Sequence, residues 1–77
     1  MVSDVFTANI EKHIGTISRS GNGWAMEVNM VSWNGKPATI DIREWDPSHE
    51  RMSRGVKLTD EEARKLLEIL QEHFREG

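Results

Sequence analysis

The sequence predicts an α+β fold in which a four-stranded antiparallel β-sheet precedes one C-terminal α-helix. Three observations indicate this fold. Apolar and polar residues alternate before residue 59, glycine-containing turn signals separate the alternating segments, and the apolar spacing becomes helical after residue 59. A chain of 77 residues has the size of one small domain. We therefore expect residues 1–77 to form a single domain, with strands between about 10 and 58 and the helix at about 60–76.

Turn signals separate the predicted strands. The first strand, at residues 10–19, ends at a Ser-Gly-Asn-Gly turn, and the second, at 24–33, ends at Asn34-Gly35, which is typical of tight hairpins. In the second strand the apolar residues change parity near Met30, which predicts a bulge or a change of face there. A third strand follows the hairpin, and a short fourth strand is expected at 56–58.

The C-terminal helix is expected to begin with a capping box. In this motif the Thr59 hydroxyl accepts a hydrogen bond from the Glu62 amide, and the Glu62 carboxylate reaches back to the Thr59 amide. The apolar residues that recur at helical spacing are Ala63, Leu66, Leu67, Leu70 and Phe74. They cover about 100° of arc, and Ile69 and His73 widen it to about 160°, which is more than contact with one sheet needs.

The width of this apolar arc favours a homodimer. A domain of this size has a marginal core, and a chain without cysteine has no disulfide to stabilise it. Ala63, Leu66, Leu70 and Phe74 are expected to cover the sheet of their own chain, which leaves Ile69 at the margin of the arc. The predicted dimer interface comprises Ile69, Leu66, Leu67, Leu70 and His73. The alternative is that Ile69 only covers the edge of the core.

Composition argues against several function classes. The chain has no apolar run of about 20 residues and no basic segment followed by an apolar one, so neither a membrane span nor a secretory signal is expected. The three histidines show no metal-ligand spacing, and no nucleophile–base motif accompanies them. We expect a non-enzymatic cytoplasmic protein, with nucleoid association as an option, that holds no metal or cofactor. Residues 1–8 are expected to be loosely held.

The net charge of -3 belongs to the predicted helix. Residues 1–58 hold seven basic and seven acidic side chains, whereas residues 59–77 hold three basic and six acidic ones. An acidic total therefore does not exclude a nucleic-acid partner for the sheet.

Tryptophans on the sheet point to a binding surface. In the third strand, at residues 38–45, the two isoleucines share one face, and Arg43 and Trp45 lie on the other. Trp33 closes the neighbouring strand. One helix covers only one face of a sheet, and an uncovered indole beside a guanidinium is suited to stacking a nucleobase and holding its phosphate. The alternative is that Trp33 and Trp45 pack on each other or on a second subunit.

Several motifs carry a resemblance to a known family. They are Ile-Asp-Ile-Arg-Glu at 40–44, Asp-Pro at 46–47, and Arg-Gly-Val-Lys-Leu-Thr at 54–59 opening a helix. In this arrangement the chain resembles the C-terminal domain of the transcriptional coactivator family called positive cofactor 4, over about residues 10–70. Gly-Trp at 23–24, Val-Ser-Trp-Asn at 31–34 and Asp-Pro-Ser-His-Glu at 46–50 are most similar to its bacterial YdbC-like branch.

The resemblance implies a homodimer whose curved sheets expose a groove for single-stranded DNA. It implies nucleic-acid contacts at Trp33, Arg43 and Trp45, at Lys36 with a one-residue uncertainty of alignment, and more loosely at Arg19 and Asn29. Met26 and Met30 stand where basic residues are expected in this family, and Glu27 adds an acid, so weaker affinity is expected.

The function predicted from these features is single-stranded DNA binding, with RNA as a competing strand, in transcription regulation, replication or repair. Machinery of those processes would supply the protein partners. The alternative is a protein-interaction module that uses the same tryptophan-rich face.

Overall fold

A computed structural model describes residues 7–76 of the chain and confirms the predicted fold class. The elements are β1 (Ala8–Arg19), β2 (Ala25–Trp33), β3 (Thr39–Trp45), β4 (Val56–Leu58) and α1 (Asp60–Glu76). The strands form one antiparallel sheet in the order β1-β2-β3-β4. Of the segment expected to be loosely held, residues 1–6 lie outside the described part of the chain.

The irregularity predicted for β2 lies in β1 instead. β2 pairs with β3 without interruption from Ala25 opposite Trp45 to Val31 opposite Thr39, so the bulge predicted near Met30 is not in β2. A register shift does lie opposite Met30 and Val31, but the extra residue belongs to β1. The register with β1 shifts between Ile10 and Lys12, between His13 and Gly15, and between Thr16 and Ser18. The change of parity in β2 reflects burial on both faces at the end of that strand, where Val31 and Trp33 are also buried.

The hairpin between β2 and β3 has the predicted tight turn. Asn34 and Gly35 both adopt left-handed conformations, with φ of 54° and 80°. The Lys36 amide donates to the Trp33 carbonyl at 3.0 Å. Positive φ at both central residues matches the right-handed twist of the flanking strands, which explains the choice of Asn-Gly.

The helix begins at the predicted capping box. The Thr59 amide donates to Glu62 Oε1 at 2.9 Å, and the Glu62 amide donates to Thr59 Oγ1 at 3.0 Å. The helix packs against β3 and β4. Phe74 is 73% exposed, so the expectation that it covers the sheet of its own chain is wrong: it lies in the last turn, beyond the strands that the helix contacts.

The sheet has an apolar face towards the helix and a polar face on the other side. Between the apolar face and the helix lies an open cleft of about 440 Å³, lined by Ile14, Ile17, Val28, Ile40, Ile42, Leu58, Ala63, Leu66, Leu67 and Leu70. The deepest burial is found on the polar face, where Asn29 and Asp41 have no exposed surface. No helix in the described residues is long and apolar enough to span a membrane.

Candidate nucleic-acid interface

Alternate residues of β2 and β3 build the polar face. Pairing sets Glu27 opposite Arg43 and Asn29 opposite Asp41, and β4 adds Lys57 opposite Asp41. The side chains of the polar face that matter for the site are Glu27, Asn29, Trp33, Asp41, Arg43, Trp45 and Lys57. The face therefore holds the predicted residues Trp33, Arg43 and Trp45, together with charged groups of both signs.

Two cations lie over the Trp33 ring. The guanidinium carbon of Arg43 is 4.6 Å from the ring centroid, and Lys57 Nζ is 5.3 Å from it. Beside this cluster is a cleft of about 210 Å³, whose lining includes Trp33, Lys36, Pro37 and Lys57. The prediction left out Lys57, although its place between Val56 and Leu58 in a period-two strand indicates the polar face.

Arg43 is held by a buried ion pair. Its Nε donates to Asp41 Oδ1 at 2.7 Å, with the two side chains 10% and 0% exposed. Its Nη1 lies 3.5 Å from Met52 Sδ and 3.3 Å from the Ser53 carbonyl. Arg43 therefore neutralises a buried carboxylate and ties the segment after β3 to the sheet, so it contributes to stability as well as to the charge of the face.

Trp45 lies on the predicted face, but the expectation that its ring is uncovered is wrong. The residue is only 2% exposed because the loop at residues 46–53 folds back over it. The His49 ring stacks on the indole, with 5.7 Å between the ring centroids and an interplanar angle of 29°. The backbone of Met52 forms an isolated antiparallel β-bridge with that of Trp45. Trp33 is also buried, at 6% exposure.

Asp46 shapes this loop. Its Oδ1 accepts hydrogen bonds from the amides of Glu50 and Arg51 at 2.9 and 3.0 Å, and its Oδ2 accepts one from Ser48 Oγ at 2.9 Å. These interactions lower the pKa of Asp46, and the hydrogen bond from the Arg51 amide makes the largest contribution. The turn places His49 in a left-handed conformation, with φ of 62°, and its ring against the sheet.

A hydrogen-bonded chain crosses the polar face from β1 to this loop. Thr16 Oγ1 lies 3.3 Å from His13 Nε2, and His13 Nδ1 lies 2.7 Å from Asn29 Oδ1. Asn29 Nδ2 donates to Glu27 Oε1 at 3.0 Å. His49 Nε2 lies 2.9 Å from Glu27 Oε2, and since an ionised carboxylate only accepts, this nitrogen is the donor.

Glu27 is the centre of that chain. Burial raises its pKa, but the hydrogen bonds from Asn29 and His49 and the nearby rings of His49 and His13 more than offset this, so its pKa is lower than the ordinary 4.5. Glu27 is therefore an anion at neutral pH. The sequence alone did not identify this cluster, because its members come from two strands and a loop.

The remaining predicted contact residues occupy different environments. Lys36 and Arg19 are exposed near opposite ends of the face, Lys36 in the hairpin turn and Arg19 at the end of β1. Asn29 has no exposed surface, so in this conformation it acts on a ligand only through Glu27 and His13. Among residues 7–76, no group of three or more histidine, aspartate or glutamate side chains is arranged to hold a metal ion.

The predicted dimer residues lie on the uncovered part of the helix. Ile69 is 56%, Leu67 55%, Leu70 44% and Leu66 37% exposed. His73 is also exposed and contacts the Phe74 ring edge-on at 4.8 Å.

Comparison with known proteins identifies the family. Residues 20–69, which include β2, β3, β4 and the first part of α1, match the family described as Transcriptional Coactivator p15 (PC4). The chain belongs to this family. The resemblance found in the sequence is thereby confirmed, and this coactivator family is a nucleic-acid-binding rather than a catalytic one. The match includes Trp33, Arg43, Trp45 and Lys57.

The chain is also similar to a protein from Treponema pallidum (strain Nichols) that is described as uncharacterized. The two are 43% identical over 70 residues, which is 91% of this chain and 82% of the Treponema protein. Assignment to the bacterial YdbC-like branch of the coactivator family stays a prediction.

Proposed function

We propose that this coactivator-family protein binds single-stranded DNA across the polar face of its sheet. The observation that carries the proposal is the group of Trp33, Arg43 and Lys57 beside the cleft that Lys36 also lines. Single strands bind where cations track the phosphates and aromatic rings offer surface to unstacked bases. Family membership supports the same assignment.

The charges divide the binding roles among these residues. Arg43 is paired with Asp41, and neither Lys36 nor Lys57 forms an ion pair within residues 7–76, so these two lysines supply the positive charge beside the cleft, which Glu62 also lines. Arg19 supplies positive charge at the other end of the face. A strand running between these ends would place its phosphates near Lys36, Lys57 and Arg19 and its bases against the sheet.

Trp33 and Trp45 stay proposed contacts with different requirements. Trp33 lines the cleft. Trp45 meets a base directly only when the loop at 46–53 moves away, and in the observed position His49, whose side chain is 43% exposed, presents the aromatic surface in front of it.

We also propose that two copies pair through the uncovered helix side. The open apolar cleft between helix and sheet, together with exposed Leu66, Leu67, Ile69 and Leu70, supports this proposal, since contiguous exposed apolar surface is typical of interfaces. A dimer with two-fold symmetry would contain two polar faces and would therefore offer a longer surface to single-stranded DNA.

The proposed cellular role is transcription regulation, replication or repair in the cytoplasm, at or near the nucleoid. Proteins of those processes are the proposed partners, and RNA is the competitor strand to be compared with DNA.

The test is fluorescence anisotropy with a labelled single strand of mixed sequence, competed by unlabelled single-stranded DNA, duplex DNA and RNA. Lys57→Gln should weaken binding and reduce the slope of log K against log salt by about 0.7, the value for one lost phosphate contact on a single strand. Lys65→Gln is the matched control, because Lys65 lies on the helix with its side chain 71% exposed and pairs with Glu68.

If both substitutions weaken binding equally, the affinity depends on the net charge of the protein rather than on the position of Lys57 on the polar face. An absence of binding to any nucleic acid would contradict the proposal and favour the alternative, a protein-interaction module on the same face.

A further inference from the structure

A second cleft on the polar face contains the buried anion. It measures about 310 Å³ and is lined by Ile10, His13, Thr16, Arg19, Glu27, Asn29 and His49. The Glu27 side chain is 9% exposed, whereas those of His13 and His49 are 50% and 43% exposed. The cleft thus has a carboxylate at its floor and two imidazole rings at its sides.

The carboxylate is held in place and still has accepting capacity. Asn29 Nδ2 donates to Oε1 at 3.0 Å, and His49 Nε2 approaches Oε2 at 2.9 Å and Oε1 at 3.2 Å. A carboxylate has about four lone-pair positions, so these bonds leave Oε2 able to accept another hydrogen bond. The contacts from Asn29 and His49 orient both carboxylate oxygens.

The charge of Glu27 selects what can enter. A phosphate group would be repelled by the buried anion and would bind Arg19 at the rim instead. A neutral group that brings hydrogen-bond donors is favoured, and the exocyclic amino group of cytosine, adenine or guanine is such a donor, whereas uracil and thymine have a carbonyl in the place of the cytosine amino group.

We propose that this cleft takes one nucleobase of the bound strand and favours bases that carry an exocyclic amino group, which donates to Glu27. The inference rests on the proposed single-strand binding and adds a base preference to it. His13 and His49 flank the base with their rings, and Arg19 contacts the adjacent phosphate. Asn29 is a positioning residue that holds Glu27.

The sharpest comparison is between deoxycytidine and deoxyuridine homopolymers of equal length at neutral pH. These strands carry the same backbone and differ at the base edge that meets Glu27. The deoxycytidine strand should bind about tenfold more tightly, since a hydrogen bond to a charged acceptor is worth about that factor or more. A deoxycytidine strand with two methyl groups on N4 has no amino hydrogens and should bind like the deoxyuridine strand.

Glu27→Gln should bring the two affinities to within about twofold, because an amide both donates and accepts and suits either base. The control is Lys65→Gln, which changes a helix residue outside this cleft and should retain the preference. The methylated strand tests the proposal on the unaltered protein, so the result does not depend on the folding of either variant.

Equal affinity of the unaltered protein for deoxycytidine and deoxyuridine strands would overturn the base preference and leave the proposed function standing. A preference that survives N4 methylation, or that survives in folded Glu27→Gln, would overturn the role of Glu27. Failure to bind either strand would instead refute single-strand binding itself.

Discussion

Replacing Arg43 with methionine tests whether the polar face is built on a buried ion pair. Arg43→Met keeps a long apolar stem but removes the guanidinium that lies 2.7 Å from Asp41. Asp41 has no exposed surface and its Oδ2 has no hydrogen-bond partner among the described residues, so the substitution leaves a buried carboxylate without its neutralising partner.

The expected cost follows from that burial. Removing one member of a buried pair destabilises a protein by about 3–5 kcal/mol, whereas breaking an exposed pair costs about 0–1 kcal/mol. A chain of 77 residues has a total stability of about 4–12 kcal/mol. Arg43→Met should therefore remove a large part of the free energy of unfolding, measured by urea denaturation with far-ultraviolet circular dichroism.

The double variant separates charge from packing. Asp41→Asn in the Arg43→Met background removes the uncompensated charge and should recover most of the lost stability, which a double-mutant cycle measures as a coupling between the two sites. A loss below about 1 kcal/mol in Arg43→Met would show that solvent screens the pair. A double variant no more stable than Arg43→Met would show that the loss comes from packing on Trp33 rather than from charge.

Four further predictions concern the rest of the molecule. Trp45→Ala should lower stability by about 3–5 kcal/mol because the residue is only 2% exposed, and an unchanged melting temperature would contradict the cover by the loop. Ile69→Glu should shift sedimentation towards the monomer of 8.8 kDa, whereas a folded monomer before mutation would refute the dimer. Because the pKa of Glu27 is lower in the folded protein, its carboxylate contributes stability above about pH 4.5, and this stability is lost as the pH falls through the folded pKa. Melting temperatures measured at decreasing pH should therefore fall less steeply for Glu27→Gln than for the unaltered protein. An equal fall would assign the acid sensitivity to other groups. The salt dependence of single-strand binding should be shallow, about 0.7 per phosphate contacted, because few cations lie on the polar face; a slope typical of about ten contacts would reveal a basic surface elsewhere.

Local signals were enough to predict the elements. The Asn34-Gly35 turn and the Thr59–Glu62 capping box depend on residues within a few positions of each other, and both have the expected hydrogen bonds. Period-two alternation likewise placed Arg43 and Trp45 on the face opposite the helix. The single irregularity expected near Met30 is not in β2, because a parity change in a strand also arises when both of its faces are buried.

The order of strands and helix, the turns, and the face on which each side chain lies are all predictable from the sequence, because they follow from backbone sterics and short-range hydrogen bonds. The exposure of the side chains on the polar face is not, because it depends on long-range contacts. The loop at 46–53 returns to cover Trp45. The register of β1, with its three shifts, sets His13 opposite Asn29, which in turn holds Glu27. The contact between His13 and Asn29 spans 16 positions of the chain, and the contact between His49 and Glu27 spans 22. No local period encodes such distances. Burial is a property of the surroundings of a side chain, and these surroundings are assembled from distant parts of the chain.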